Sequence, residues 1–225
     1  KQGVITKSLD ELDKTSHKIS EMEQTYIENQ WLSFNWINNI ELFEELCNQL
    51  KHSYYPMEKL IRLLTLIEDT WNRLYSSLVS QRIELPERLD SWQTVKNWLD
   101  EICSLTNNAL CKSKYSPEIT RSIINAIKII DDEMEKQLIA ADIAKRVNMS
   151  RGYFNQCFKD ITGKSFNSYL RFARFEKAKK YLSLTDEPIY SIAQMIGYND
   201  EKYFSSIFRR EFGLLPSEYR QNNAR

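Results

Sequence analysis

The sequence predicts an all-α protein, and three observations carry that expectation. Leu, Ile, Lys and Glu recur at threes and fours along most of the 225 residues, the spacing that puts apolar groups on one helix face. Runs of alternating β-branched residues are nearly absent. Helix breakers are scarce, at five glycines and five prolines, and four of the glycines fall beyond residue 150. The length suits one large or two small domains with ample core.

Taken in order, residues 8–30 are polar and helix-permissive, with Leu9, Leu12, Ile19, Met22 and Tyr26 as a narrow apolar stripe. That stripe is too sparse for a lone helix, so it is expected to pack on its own module or on a second chain. Trp31 to Leu50 reads as a second helix, broken near Pro56. A third runs from Met57 to about Ser80 on Leu60, Leu63, Leu64, Ile67, Trp71, Leu74 and Leu78. A fourth covers Trp92 to Leu110 on Val95, Trp98, Leu99, Ile102 and Leu105. Five tryptophans, Trp31, Trp36, Trp71, Trp92 and Trp98, all lie in this part and are expected in its core. Pro117 marks the domain boundary, because the residue before a proline resists helix and proline suits the first turn of the next one. The expected division is therefore a helical module over 1–116 and a second domain over 117–225.

Beyond the boundary, Ser116 to Gln137 reads as one helix, packing Ile123, Ile124, Ile127 and Ile130. A short helix over 139–147 and a tight turn lead to Ser150, a good cap for a helix from Arg151 to Thr162 that Gly163 ends. Phe166 to about Leu182 follows, then a short helix opening at Pro188. Asp200 caps a helix from Glu201 to Phe212, Gly213 ends it, and Pro216 starts the last short helix.

Part of this segment is written twice. At an offset of fifty residues Tyr153 meets Tyr203, Phe154 meets Phe204, Phe158 meets Phe208 and Gly163 meets Gly213. Lys159 meets Arg209, and Tyr169 meets Tyr219. Two copies are too few for a solenoid. Each copy reads short helix, tight turn, second helix. In the first, Phe154, Cys157, Phe158 and Ile161 share the inward face, leaving Arg151, Gly152, Asn155, Gln156 and Lys159 outside. In the second, Phe204, Ile207, Phe208 and Phe212 face inward, leaving Glu201, Lys202, Ser205, Ser206 and Arg209 outside. Short polar groups followed by a base one turn later can read base edges and grip a phosphate in a major groove. The intervening helix could hold two such readers about a DNA turn apart, so that one chain meets two half-sites without dimerising.

The balance of charge agrees. Net charge is zero, yet residues 139–225 hold fifteen Lys and Arg against nine Asp and Glu, leaving the rest acidic. A polyanion is therefore expected at the C-terminal end alone. An enzyme is not expected: the two histidines, His17 and His52, sit near no cysteine or acidic pair, and no glycine-rich phosphate loop occurs. No metal and no cofactor are expected. Cys47, Cys103, Cys111 and Cys157 form no C-x-x-C pair and read as buried, reduced thiols. No apolar run approaches the roughly 20 residues that span a bilayer, and no basic-then-apolar leader is visible, so the expected location is the cytoplasm.

Residues 139–220, above all "IAQMIGYNDEKYFSSIFRREFGLLPSEYR", resemble the DNA-binding domain of AraC/XylS-family transcription regulators. The resemblance implies seven helices with two helix-turn-helix units on a connecting helix. It places base-facing residues at Gly152, Asn155 and Gln156, and at Glu201, Lys202, Ser205 and Ser206. Two departures stand out: Gly152 has no side chain, and Gln156 stands where many members carry a base. The first unit is thus expected to read fewer bases. Upstream, "YPMEKLIRLLTLIEDTWNRLY" and "SWQTVKNWLDEI" resemble the helical stretch that precedes this domain in YesN-type response regulators of two-component signalling. A receiver domain normally stands before it in that group, and these residues carry no strands of one. The function expected is a sequence-specific transcription regulator, an activator, with double-stranded promoter DNA and RNA polymerase as partners. A second copy of the chain is expected to join through residues 1–116. The competing expectation is a helical protein-interaction module that binds no DNA, and a gel shift separates the two.

Overall fold

The computed structural model describes residues 21–52, 55–75, 78–79 and 81–223. Among these it is all-helical, with no strand. The helices are α1 (Glu21–Ser33), α2 (Ile40–His52), α3 (Met57–Tyr75), α4 (Trp92–Lys112), α5 (Pro117–Glu133), α6 (Ala140–Arg146), α7 (Arg151–Thr162), α8 (Phe166–Leu184), α9 (Ile189–Met195), α10 (Glu201–Phe212) and α11 (Pro216–Asn223). The chain forms two compact units that divide between Pro117 and Glu118.

In the first unit, the helix expected from Trp31 to Leu50 is interrupted. Phe34 takes a left-handed backbone at φ 57°, a 3-10 turn covers Asn35–Asn38, and α2 begins only at Ile40. The cause is burial. The reversal stacks Trp36 on Phe43 at 5.6 Å, sets Trp31 edge-on to Trp36 at 5.0 Å, and lets the Trp36 indole N–H donate to the Trp31 carbonyl at 2.8 Å. Together these contacts offset a backbone conformation that costs a non-glycine residue of order 1–3 kcal/mol. Asn39 then caps α2, its Oδ1 accepting the Leu42 N–H at 3.0 Å.

The N-terminal stripe falls partly outside the described residues, which exclude Leu9, Leu12 and Ile19. Of its remaining members Met22 is 86% exposed and Tyr26 61%; α1 buries Ile27 and Trp31 instead. α3 buries six of its seven expected residues but stops at Tyr75, short of the expected Ser80, which leaves Leu78 half-buried in the turn beyond it. There the Tyr75 carbonyl accepts N–H groups from both Leu78 and Val79, and Asn72 clamps Ile83, giving and taking one hydrogen bond at 2.9 Å each. On α4, Leu105 is only half-buried, and Thr106 takes the core position. Its hydroxyl accepts from the Trp71 indole at 2.8 Å and donates to the Ile102 carbonyl, so neither buried polar group is left unpaired. Trp31, Trp36, Trp71 and Trp98 are buried and Trp92 half-buried, which makes four of the five tryptophans core.

The second unit is built on α8. Its first half buries Phe166 and Leu170; its second half buries Phe175, Ala178 and Leu182 in a cluster with Ile192, Phe204 and Phe208. At 19 residues α8 is about 28 Å long at roughly 1.5 Å per residue. α5 opens at Pro117 and buries the four expected isoleucines, but ends at Glu133 rather than Gln137. Cys47 and Cys157 are buried, as expected; Cys103 is half-buried and Cys111 exposed, against expectation. Burial pushes the Cys47 thiol up to about 12 and the Cys103 thiol up to about 11, so neither is a thiolate at neutral pH.

Candidate nucleic-acid interface

The two copies fold as two helix-turn-helix units. In the first, α6 buries Ile143 and Ala144, the chain turns through Asn148 at φ 56°, and the Met149 N–H donates to the Ala144 carbonyl at 2.8 Å. In the second, α9 buries Ile192 and Ala193, the turn uses Gly197 at φ 84°, and the Tyr198 N–H donates to the Ala193 carbonyl at 2.8 Å. These turns match at an offset of 49 rather than 50, so the second has one more residue before its cap. Ser150 and Asp200 are the caps, each side chain accepting the backbone N–H three residues on, from Tyr153 and Tyr203.

The inward faces are those the spacing predicts. Phe154, Cys157, Phe158 and Ile161 are buried on α7, and Phe204, Ile207 and Phe208 on α10. Phe212 is half-buried, 4.6 Å from Phe208 between ring centres. The repeat persists beyond the helices: Tyr169 meets Phe158 edge-on at 5.4 Å, and Tyr219 meets Phe208 edge-on at 5.7 Å. Gly163 and Gly213 end the two helices at φ 71° and 76°, donating to the Lys159 and Arg209 carbonyls.

Packing of those faces fixes what remains outside. Arg151, Gly152, Asn155, Gln156 and Lys159 are exposed together along α7. Glu201, Lys202, Ser206 and Arg209 are exposed along α10, with Ser205 half-buried beside them. Among the described residues no hydrogen bond or ion pair engages these side chains, which leaves their donors and acceptors available to a ligand. A Cβ at Gly152 would meet nothing within 4 Å, so that position is a gap in the α7 face. Lys159, Arg209 and Arg210 fall in last turns, where positive charge suits the helix dipole.

The sequence spacing missed two groups. Tyr153 and Tyr203 occupy the first turns of α7 and α10 and are 42% and 59% exposed. Each precedes a core phenylalanine by one position, which is the signal that would have placed it outside. Among the described residues no group of three or more His, Cys, Asp and Glu is placed to hold a metal, and no helix is long and apolar enough to cross a membrane.

Two capped second helices, α7 and α10, on one connecting helix define a double helix-turn-helix domain. A family described as a helix-turn-helix domain matches residues 143–222. The chain is 35% identical over 94 residues to regulatory protein SoxS of Salmonella typhimurium, covering 42% of this chain and 88% of that one. Among solved structures it is similar to the C-terminal domain of AraT, a response regulator from Geobacillus stearothermophilus. That likeness has 32% identity and a TM-score of 0.45, and covers 50% of this chain and 91% of that one. It is also similar to the C-terminal domain of the two-component response regulator yesN from Fusobacterium nucleatum, with 31% identity and a TM-score of 0.41, over 43% and 94% of the two chains. The chain belongs to the AraC/XylS family of transcription regulators.

Proposed function

We propose that this regulator reads two adjacent major grooves on one face of duplex DNA, α7 in one and α10 in the next, and activates transcription through RNA polymerase. The observation that carries the reading is the pair of outward faces: repeated polar groups, held by two equivalent cores, with donors and acceptors left unengaged. Asn155, Gln156, Ser205 and Ser206 address base edges, with Glu201 and Lys202 at the start of α10. Arg151, Lys159 and Arg209 address phosphates. Gly152 contributes no side chain, so the first half-site is read at fewer positions than the second.

Residues 1–116 act as a regulatory module and join a second copy of the chain. Support comes from Met22 and Tyr26, which α1 leaves exposed on the stripe that the sequence marks as unpartnered. The module's acidic balance opposes contact with phosphate, so regulation rather than DNA reading is its part. The cytoplasm is the compartment that fits this work.

The test is selection from a pool of random duplexes followed by gel shift. Enrichment of two half-sites centred about 10–10.5 base pairs apart supports the proposal. Recovery of unenriched DNA, or binding with no sequence preference at physiological salt, would overturn it.

A further inference from the structure

We infer that Arg174 is a positioning residue that fixes the second reading helix relative to the first by gripping the chain just beyond α5. It lies on α8, outside both reading faces, and its half-buried guanidinium joins three elements. Its Nε donates to the Met134 carbonyl at 2.9 Å and its Nη2 to the Lys136 carbonyl at 2.8 Å. Its ζ-carbon lies 5.2 Å from the centre of the Tyr198 ring, in the turn of the second unit. That turn closes tightly on the same place. A Cβ on Gly197 would fall 2.6 Å from Arg174 Nη2 and 2.6 Å from the Met134 carbonyl oxygen, so only glycine fits.

The gripped residues also hold the first unit. Glu133, the last residue of α5, receives two hydrogen bonds from Arg146 on α6, at 3.0 and 2.6 Å, and its carboxylate lies 3.4 Å from Lys136 Nζ. Residues 133–136 thus tie to α6 on one side and, through Arg174, to the α9–α10 turn on the other. The aromatic pairs sit apart along α8: Phe158 and Tyr169 meet near its start, whereas Phe175 meets Phe204 and Phe208 further along. The two units also share α8, a rod about 28 Å long, and the clasp adds a second link between them away from its axis. A planar fork that reaches two carbonyls at once is a task for arginine, and a lysine ammonium cannot reproduce it.

The alternative is that Arg174 only satisfies orphan carbonyls at a helix end, contributing stability and nothing to geometry. Two measurements on the full chain separate these roles, the second resting on the two-groove reading. The first uses no DNA. Spin labels are attached to azide-bearing residues at positions 160 and 211, on α7 and α10, leaving the native cysteines in place, and the distance distribution is read by pulsed dipolar spectroscopy. Arg174→Ala and Arg174→Lys should both broaden it while far-UV helix content is kept. The lysine variant keeps the charge and stem, and so covers the case in which alanine fails to fold. In the second, duplexes selected by the unaltered protein are remade with one base pair inserted between the half-sites, turning the second site by about 35°. The unaltered protein should lose about tenfold or more in affinity and the Arg174 variants less than about threefold, because a loosened link tolerates mismatched spacing. Distributions as narrow as the unaltered protein's in both variants, whatever their melting temperature, would overturn the inference. If the unaltered protein selects no DNA, the groove reading fails, and the distance measurement still decides the role of Arg174.

Discussion

Single side chains divide into those that hold the fold and those proposed to meet DNA. Phe158 and Phe208 are fully buried, so truncating either to alanine should lower stability by about 3–5 kcal/mol, read by denaturant unfolding. A variant that unfolds like the parent yet binds DNA poorly would place that ring at the interface instead. Asn155→Ala and Ser206→Ala should leave stability unchanged and weaken the selected site by about 1–3 kcal/mol while relaxing base preference. Arg209→Ala should weaken all sequences alike and reduce the slope of log affinity against log salt by about 0.9, the share of one phosphate contact. An unchanged slope with lost sequence preference would reverse these roles. Most of the two outward faces was legible, because a period of 3.6 and buried phenylalanines determine what points away. Arg174 was not: in the run from Arg171 to Lys180 it is one base among several, and only the tertiary approach of Met134 and Gly197 distinguishes it.

Elements show a similar split between what local chemistry specifies and what packing imposes. The capped helices α7 and α10 were readable at both ends, since Ser150, Asp200, Gly163 and Gly213 each carry a local reason. The break at Phe34 was not, because an aromatic residue in left-handed backbone gives no turn signal; the Trp31, Trp36 and Phe43 contacts impose it. The three turn and cap glycines should differ in sensitivity. Gly163→Ala meets nothing within 4 Å and should cost about 1 kcal/mol for its positive φ alone, whereas Gly197→Ala adds a 2.6 Å clash with backbone and should cost clearly more. Equal melting temperatures for the two variants would contradict the close approach at Gly197. The junction beyond α5 should also respond to acid. Hydrogen bonds from Arg146, and secondarily from Lys136, hold the Glu133 carboxyl down at about 2, against an ordinary 4.5. A carboxyl depressed by folding stabilises fully above its unfolded value and ceases to do so as pH falls through the folded one. The stability that the Glu133–Arg146 tie contributes should therefore be complete above about pH 4.5 and decline as pH falls toward about 2, with the Glu133 carboxyl carbon resonance in the folded protein titrating near 2. A midpoint near 4.5 would show the pair to be unformed in solution.

For the whole molecule, the division between Pro117 and Glu118 leaves all seven helices of the double helix-turn-helix domain together. A fragment of residues 118–225 should therefore fold alone, sediment as a monomer and bind the selected DNA, while the full chain shows the self-association assigned to residues 1–116. A fragment that folds but binds nothing would make the first module part of the DNA-reading unit. In the proposed arrangement, one chain places α7 and α10 in two successive grooves. Hydroxyl-radical footprinting of the full chain on its selected duplex tests this most directly, comparing the parent with Asn155→Ala and Ser206→Ala. Two protected clusters are expected about one helical turn apart on one face of the duplex, with Asn155→Ala weakening one cluster and Ser206→Ala the other. A single protected cluster, or two variants that weaken the same one, would contradict it.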